Sequence, residues 1–404
     1  MPLRSLSPVG TPVQLRTVLA AMRAACRNGN QQRALAGALA ARLDGAACVP
    51  VSSGRAALTL ILETLREQVD TGRDEVVIPA YTCFSVPSAI VRAGLKVVPC
   101  DVDPQHLDFD QSMLPQLVSS RTLCIVPNHL FGLPARMELV LELARAHDAY
   151  VVEDAAQSLG ACLDGRPIGT LGDVGFLSLG RGKPLTAIDG GVIIVPRYAD
   201  LATRLRQRTD RLPRPPRVPW HVVVKAIGHA LFLAPHRFAI AERMPFVKMG
   251  ESKFSPVFDI GGLSAFQAAL AAATLDEQPA VIAMRRANAG VLLEALRDLP
   301  GLEAVQPVKD AEPVYLRLPI RTSRPEAREQ LCHRLTARRL GVSRMYPFAI
   351  TAIPELQTHL ATSVQPCAEA ERVAASLMTL PTHPLVEPSD LENIIGCLKR
   401  TDLR

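Results

Sequence analysis

The stretch ARMELVLELARAHDAYVVEDAA (135–156) changes period halfway along. Residues 135–147 carry apolar side chains at helical spacing, and 149–156 form a short apolar run closing on Glu153 and Asp154. The same alternation continues on both sides. RAALTLILETLREQV (55–69) reads as a helix; EVVIPA (75–80), KVVPCDVD (96–103) and LCIVPN (123–128) read as strands. Beyond it, VGFLSLG (174–180) and GGVIIVP (190–196) are two more strands. Continuous apolar strands separated by helices predict a mostly parallel sheet buried on both faces. The predicted class is α/β, with ligands expected at the carboxyl ends of the strands.

The bulk numbers narrow the function. The chain has 404 residues, 48% hydrophobic and 21% charged, which excludes a disordered chain. Nine cysteines stand far apart with no C-x-x-C, which argues against a disulfide framework or a zinc site and for a reducing, cytoplasmic setting. Arg4, Arg16 and Arg23 interrupt the N-terminus, so no signal peptide is expected, and no uniformly apolar run is long enough to span a bilayer. The net charge of +6 is concentrated: residues 197–253 hold twelve Lys/Arg against four Asp/Glu. One basic segment on a near-neutral chain is not a nucleic-acid-binding composition.

After residue 196 the pattern changes. RLPRPPRVPW (211–220) breaks regular structure with four prolines. HVVVKAIGHALFL then reads as amphipathic, with Trp220, Val223, Val224, Ile227 and Leu231 on one face and His221, Lys225 and His229 on another. Residues 265–298 are strongly helical. VYLRLPI (314–320) reads as a strand, PEAREQLCHRLTARR (325–339) as a helix, and PSDLENIIGCLKR (388–400) as a closing helix capped by Ser389. The expected organisation is a large domain over 1–260, with an N-terminal arm (1–45) and a basic, apolar insert at about 205–260. A helical connector and a smaller α+β domain fill 261–404.

Lys183 stands between Gly180, Gly182 and the pair Gly190–Gly191, just past a strand. A P-loop is excluded by Leu177 and Pro184, and a dinucleotide fingerprint by Leu185. A solvated turn lysine is the ordinary alternative. Two neighbours point elsewhere. Asp154 ends another buried strand, where a carboxylate needs a cationic or hydrogen-bonding partner. Gly54, Arg55 and Ala56 open a helix after a strand, a natural anion site. Pyridoxal phosphate (PLP) needs all three: a lysine for its Schiff base, a carboxylate for its ring nitrogen and an anion site for its phosphate.

These residues recur in a known order. SSGRAAL (52–58), PAYT (79–82), HLFG (129–132), EDAAQ (153–157), GDVGFLSLGRGKPLTAIDGG (172–191) and LPTHP (380–384) together resemble the DegT/DnrJ/StrS family of PLP-dependent, mostly sugar-modifying aminotransferases. The resemblance implies the aspartate-aminotransferase (type I) fold, with a large PLP-binding domain and a smaller C-terminal one. By the same resemblance Lys183 forms the Schiff base and moves the Cα proton, Asp154 keeps the pyridine nitrogen protonated, and Gln157 bonds the phenolic oxygen. Ser178 and the backbone at Gly54, Arg55 and Ala56 hold the phosphate, and His129 faces the substrate or is a satisfied core histidine.

Three departures accompany the resemblance. Cys83 stands where the family often places an aromatic on the cofactor ring, so either Phe84 swings in or the ring packs against sulfur. Arg55 replaces a small hydroxyl residue, and its guanidinium pairs with phosphate or points outward. DIGGLSAFQAAL (259–270) lacks the asparagine that reaches the partner's phosphate site in the family.

The expected activity is transfer of an amino group from glutamate or glutamine to the ketone of a nucleotide-linked sugar or related cyclic ketone. The resemblance implies a homodimer with a shared site. A PLP-dependent sugar dehydratase carries His in place of Lys183; a non-catalytic, membrane-associated relative has no need of Lys183, Asp154 and Gln157. No metal and no nucleic-acid partner are expected. The 197–253 segment reads as an interface arm or lid, as a helix lying on the inner membrane face, or as a diphosphate-binding surface.

Overall fold

A computed structural model describes residues 4–27, 29–69, 72–241, 253–362 and 365–400. Seven strands form the central sheet: β1 (Ala47–Val51), β2 (Glu75–Pro79), β3 (Lys96–Cys100), β4 (Thr122–Ile125), β5 (Tyr150–Asp154), β6 (Val174–Ser178) and β7 (Gly191–Val195). Their spatial order is β1-β7-β6-β5-β4-β2-β3. Neighbours from β6 across to β3 pair in parallel, and β7 runs antiparallel to both β6 and β1. Six carboxyl ends therefore share one edge, and the loop from β6 into β7 turns over at that same edge.

The strands are apolar throughout because both faces are buried. Val76 and Ile78, Val152, Phe176, Ile193 and Val195 join one core cluster. Their alternates Val77, Val151, Leu177, Val192 and Ile194 join the other. This is the side-chain period of two, with a hydrophobic layer on each side. The covering helices include α1 (Leu15–Cys26), α2 (Gln31–Ala40), α3 (Gly54–Arg66), α4 (Ser85–Arg92), α5 (Glu138–Ala146) and α6 (Ala199–Asp210).

The insert supplies α7 (Trp220–Phe232). Its buried face differs from the one the sequence predicts. Val222, Val223, Ala226 and His229 are buried, whereas Trp220 and Val224 are exposed. The helix is apolar nearly all round, so periodicity could not choose a face; packing against α1 and the following α8 (Ala265–Leu275) chooses it. The insert's last residues, 242–252, lie outside the described residues.

Beyond α8, the long α9 (Gln278–Leu296) leads to a second, antiparallel sheet. It has the order β8 (Leu302–Ala304), β9 (Leu318–Thr322), β10 (Leu377–Leu380). Helices α10 (Pro325–Ala337), α11 (Ala368–Ser376) and α12 (Pro388–Lys399) accompany it. The strand predicted over 314–320 begins only at Leu318. Before that, Val314 and Leu316 donate to the carbonyls of Gly132 and Phe131, which holds this stretch against the loop after β4 instead of in the sheet. The predicted cap of α12 is also corrected. Ser389 lies inside the helix; Glu387 caps it, in a reciprocal box with Asp390. Among the described residues no helix is long and apolar enough to cross a membrane.

Candidate active site

The carboxyl edge of the central sheet opens into a cavity of about 400 Å³. β5 delivers Asp154, β6 delivers Ser178, and the β1–α3 connection delivers Ser53 and Gly54. The loop between β6 and β7 carries Lys183. Its turn is closed by the Lys183 N–H donating to the Gly180 carbonyl at 3.2 Å, with Gly182 at φ 78°. Only glycine suits that position, since a Cβ there would stand 2.6 Å from Val9 Cγ1.

The N-terminal arm thus lies on the lysine loop. Thr11 Oγ1 donates to the Lys183 carbonyl, and the His229 Nε2–H donates to the Thr11 carbonyl at 2.9 Å. Arg285, almost wholly buried, donates to the carbonyls of Gly10 and Leu316, each at 2.8 Å. The LPTHP motif acts on the same arm. His383 Nε2–H donates to the Ser7 carbonyl at 2.9 Å, and His383 Nδ1 accepts from the Leu385 N–H at 3.3 Å.

Lys183 is half-buried, and burial lowers its pKa from the usual ammonium value; the Arg317 cation pushes the same way, and Asp154 opposes them. Burial raises the Asp154 pKa, against the Ala156 N–H it accepts at 3.0 Å and the nearby Lys183. A buried carboxylate and an amine therefore face one cavity, each discouraged from carrying charge without a partner.

At the start of α3 the Ser53 hydroxyl caps the helix by accepting the Ala56 N–H at 3.0 Å. The N–H groups of Gly54 and Arg55 precede the first turn's acceptors and are left for a ligand; that of Ala56 is already engaged. A Cβ on Gly54 would lie 3.2 Å from Ser178 Cβ, so glycine lets the helix start come up to Ser178. The Arg55 guanidinium is engaged elsewhere, 4.8 Å above the Phe258 ring.

Two points the sequence left open can be described in the structure. Phe84 does not turn into the cavity; it stacks on Phe348 at 4.9 Å and packs on Tyr346 at 5.8 Å. Cys83 lines the cavity in its place. His129 is a satisfied core histidine: Nδ1 accepts from the Ala135 N–H at 3.0 Å and Nε2–H donates to Glu153 at 3.1 Å. Glu153, fully buried, also accepts the N–H groups of Gly169, Leu171 and Gly172. It pins the 169–172 loop beneath the strand that carries Asp154.

Gln157 lines the cavity, accepting from the Phe131 N–H and donating to the Tyr346 hydroxyl, both at 3.3 Å. Tyr346 and Arg317 escape the sequence reading. Tyr346 is placed by the Tyr81 hydroxyl, which accepts the Tyr346 N–H. Arg317 is 5% exposed, and its buried Nη1 has no hydrogen-bond partner. Burial lowers its pKa to about 10. Its one signal in the sequence was an arginine inside the apolar run VYLRLPI.

The model of the DegT/DnrJ/EryC1/StrS aminotransferase family matches residues 12–211 and 259–399. A UDP-N-acetyl-3-dehydro-alpha-D-glucosamine 3-aminotransferase of Acidithiobacillus ferrooxidans is 36% identical over 178 residues, 44% of this chain and 47% of the relative. An L-glutamine:2-deoxy-scyllo-inosose aminotransferase of Streptomyces lividus is 34% identical over 67% of this chain and 57% of its own length. The chain thus spans about half the length of these curated relatives. Among solved structures, Streptomyces venezuelae DesV in complex with a ketimine intermediate superposes with a TM-score of 0.77 at 26% identity, covering 96% of this chain and 95% of DesV. 3-Amino-5-hydroxybenzoic acid synthase, 21% identical, shares the fold with a TM-score of 0.78 over 98% of each chain. With the two matched segments embracing both sheets and every residue lining the cavity except Pro8, Val9 and His229, this chain belongs to the DegT/DnrJ/EryC1/StrS aminotransferase family.

Proposed function

We propose that this chain is a PLP-dependent aminotransferase. It moves an amino group from glutamate or glutamine to the ketone of a nucleotide-linked sugar or a related cyclic ketone, and it works as a homodimer. One observation carries the reading: a single cavity gathers Lys183, Asp154, Gln157, Ser178 and the open start of α3. The donor set fits the cofactor. A pyridinium nitrogen supplies the cationic partner that buried Asp154 lacks, and a phosphate takes the Gly54 and Arg55 N–H groups beside Ser178. When bound, PLP supplies an electron sink for the carbon that loses its proton.

The residues of the chain do the rest. Lys183, whose ammonium burial disfavours, would bond the cofactor when it is present and afterwards take the Cα proton of the donor. The same side chain, once protonated, would return a proton to the former keto carbon of the acceptor in the second half of the cycle. Asp154 holds the ring-nitrogen proton, and Gln157, fixed between Phe131 and Tyr346, orients a hydrogen bond toward the phenolic oxygen. Cys83, which lines the cavity, would present a small, sulfur-bearing wall to the cofactor ring. Arg317 offers its buried Nη1, which has no hydrogen-bond partner among the described residues, to a substrate carboxylate.

The test is reduction of the PLP-loaded protein with borohydride, followed by peptide mass spectrometry. The expected label is on Lys183, and Lys183→Ala abolishes it. A chain that takes up no PLP, or carries the label on another lysine, overturns the assignment. Incubation of the holoenzyme with glutamate or glutamine and a panel of keto-sugar nucleotides then reads the acceptor directly.

A further inference from the structure

The family model leaves residues 212–258 unmatched, and this interval holds α7 and the short helix Pro235–Ala241. One side of α7 packs Val222, Val223 and Ala226 against Val18 and Ala21 of α1 and Phe266 of α8. The other side is apolar too, and it faces outward. Trp220 is 67% exposed, Val224 65% and Phe232 40%, and Ile240 on the next helix is 58% exposed. Trp220, Val224 and half-buried Leu231 fall on one stripe of the helix. Beside it, α1 exposes Leu15 and Leu19. An apolar stripe on a helix is normally covered.

The surrounding charge selects the cover. From 211 to 241 the chain has Arg211, Arg214, Arg217, Lys225 and Arg237 and no aspartate or glutamate. All five residues are exposed; the Arg217 guanidinium is tied to the carbonyls of Ala25, Arg27 and Gly29, and Arg214 lies 3.9 Å from Asp210 in a solvent-exposed pair. An isologous contact centred on α7 would bring this cationic patch against its own equivalent. An anionic bilayer meets both features: lipid phosphates for the arginines, and the headgroup–acyl boundary for tryptophan, valine and phenylalanine.

We propose that the inserted helix α7 is a docking surface for an anionic phospholipid bilayer. The helix lies flat, with Trp220, Val224 and Phe232 entering the boundary layer and Arg211, Arg214 and Lys225 meeting headgroups. Its inner side carries His229, which lines the cavity and bonds the arm over Lys183. One helix therefore has the membrane on one side and the site on the other. The docking does not depend on the reaction catalysed.

Trp220 is the only tryptophan in the chain, so its emission reports on this face alone. The experiment mixes the full-length holoenzyme with vesicles of phosphatidylcholine, or of phosphatidylcholine with phosphatidylglycerol, and follows emission and co-sedimentation. The expected result is a blue shift and sedimentation with the anionic vesicles only, weakened by added salt. The double variant Val224→Ser/Phe232→Ser, on exposed positions, lowers partitioning at least about tenfold with an unchanged circular-dichroism melt. Lys225→Glu lowers it about fivefold and shifts the salt dependence. Unchanged emission and no sedimentation at low salt overturn the proposal. So does a blue shift without vesicles that follows protein concentration and is lost in the double variant, since a second copy would then be the cover.

Discussion

Both ring nitrogens of His383 are committed in the neutral form, and this makes a measurable pH dependence. Nε2–H donates to the Ser7 carbonyl, and Nδ1 accepts from the Leu385 N–H. Protonating Nδ1 would set one donor against another in a fully buried site. Burial pushes the imidazole down to about 3, opposed by the Ser7 carbonyl; Arg285 and Arg317 lower it further, and Asp390 raises it. An unfolded histidine titrates at about 6.5. Between these values the unfolded chain binds a proton that the folded chain refuses. The contribution is therefore complete above about pH 6.5 and is lost as pH falls toward 3, at about 1.4 kcal/mol per unit. From pH 7 to pH 5 the loss integrates to about 2 kcal/mol. The assay is equilibrium urea unfolding of wild type and His383→Asn at three pH values across that range. Groups common to both chains cancel in the comparison, so the wild type should lose about 2 kcal/mol more than the variant. Parallel losses would refute the argument, because His383 would then be free to take a proton in the folded arm.

Four further outcomes follow from the site. Arg317→Leu should raise the KM for the carboxylate-bearing amino donor by about 10- to 100-fold while changing kcat less, the scale of one charge-assisted bond; steady-state kinetics with varied glutamate decides it. Glu153→Gln removes charge from a carboxylate that accepts three backbone N–H groups and should cost about 3 kcal/mol in urea unfolding. Gly182→Ala forces a positive φ on alanine and a Cβ onto Val9, so about 1–3 kcal/mol of strain should appear as faster proteolysis of the N-terminal arm. Phe84→Leu, in the cluster with Tyr346 and Phe348, should lower thermal stability and leave PLP affinity within about threefold; a large loss of PLP would return Phe84 to the cavity wall.

How much of this was legible in the sequence depended on what kind of force places each residue. The strands could be read because burial on both faces writes an unbroken apolar run, and Asp154 and Lys183 could be read because each follows such a run at the edge where a parallel sheet gathers its loops. Glu153 and Asp154 are adjacent and identical in charge. Their division of labour comes from strand alternation, which turns one toward the 169–172 loop and the other toward the cavity. The run VYLRLPI shows the reverse difficulty. Its apolar pattern announces a strand from 314, yet Val314 and Leu316 bond to the loop at 131–132, more than 180 residues away in sequence. That detour holds Arg317 at the cavity instead of in a sheet. No local period encodes a partner so distant, and the same holds for α7, whose two apolar faces look alike until α1 claims one of them. Arg317 and the outer face of α7 are hard to read locally because remote segments set their surroundings. Among the described residues, a buried guanidinium without a counter-charge and an apolar stripe without a cover are both incomplete by the same criterion. The substrate should complete the first, and a bilayer the second.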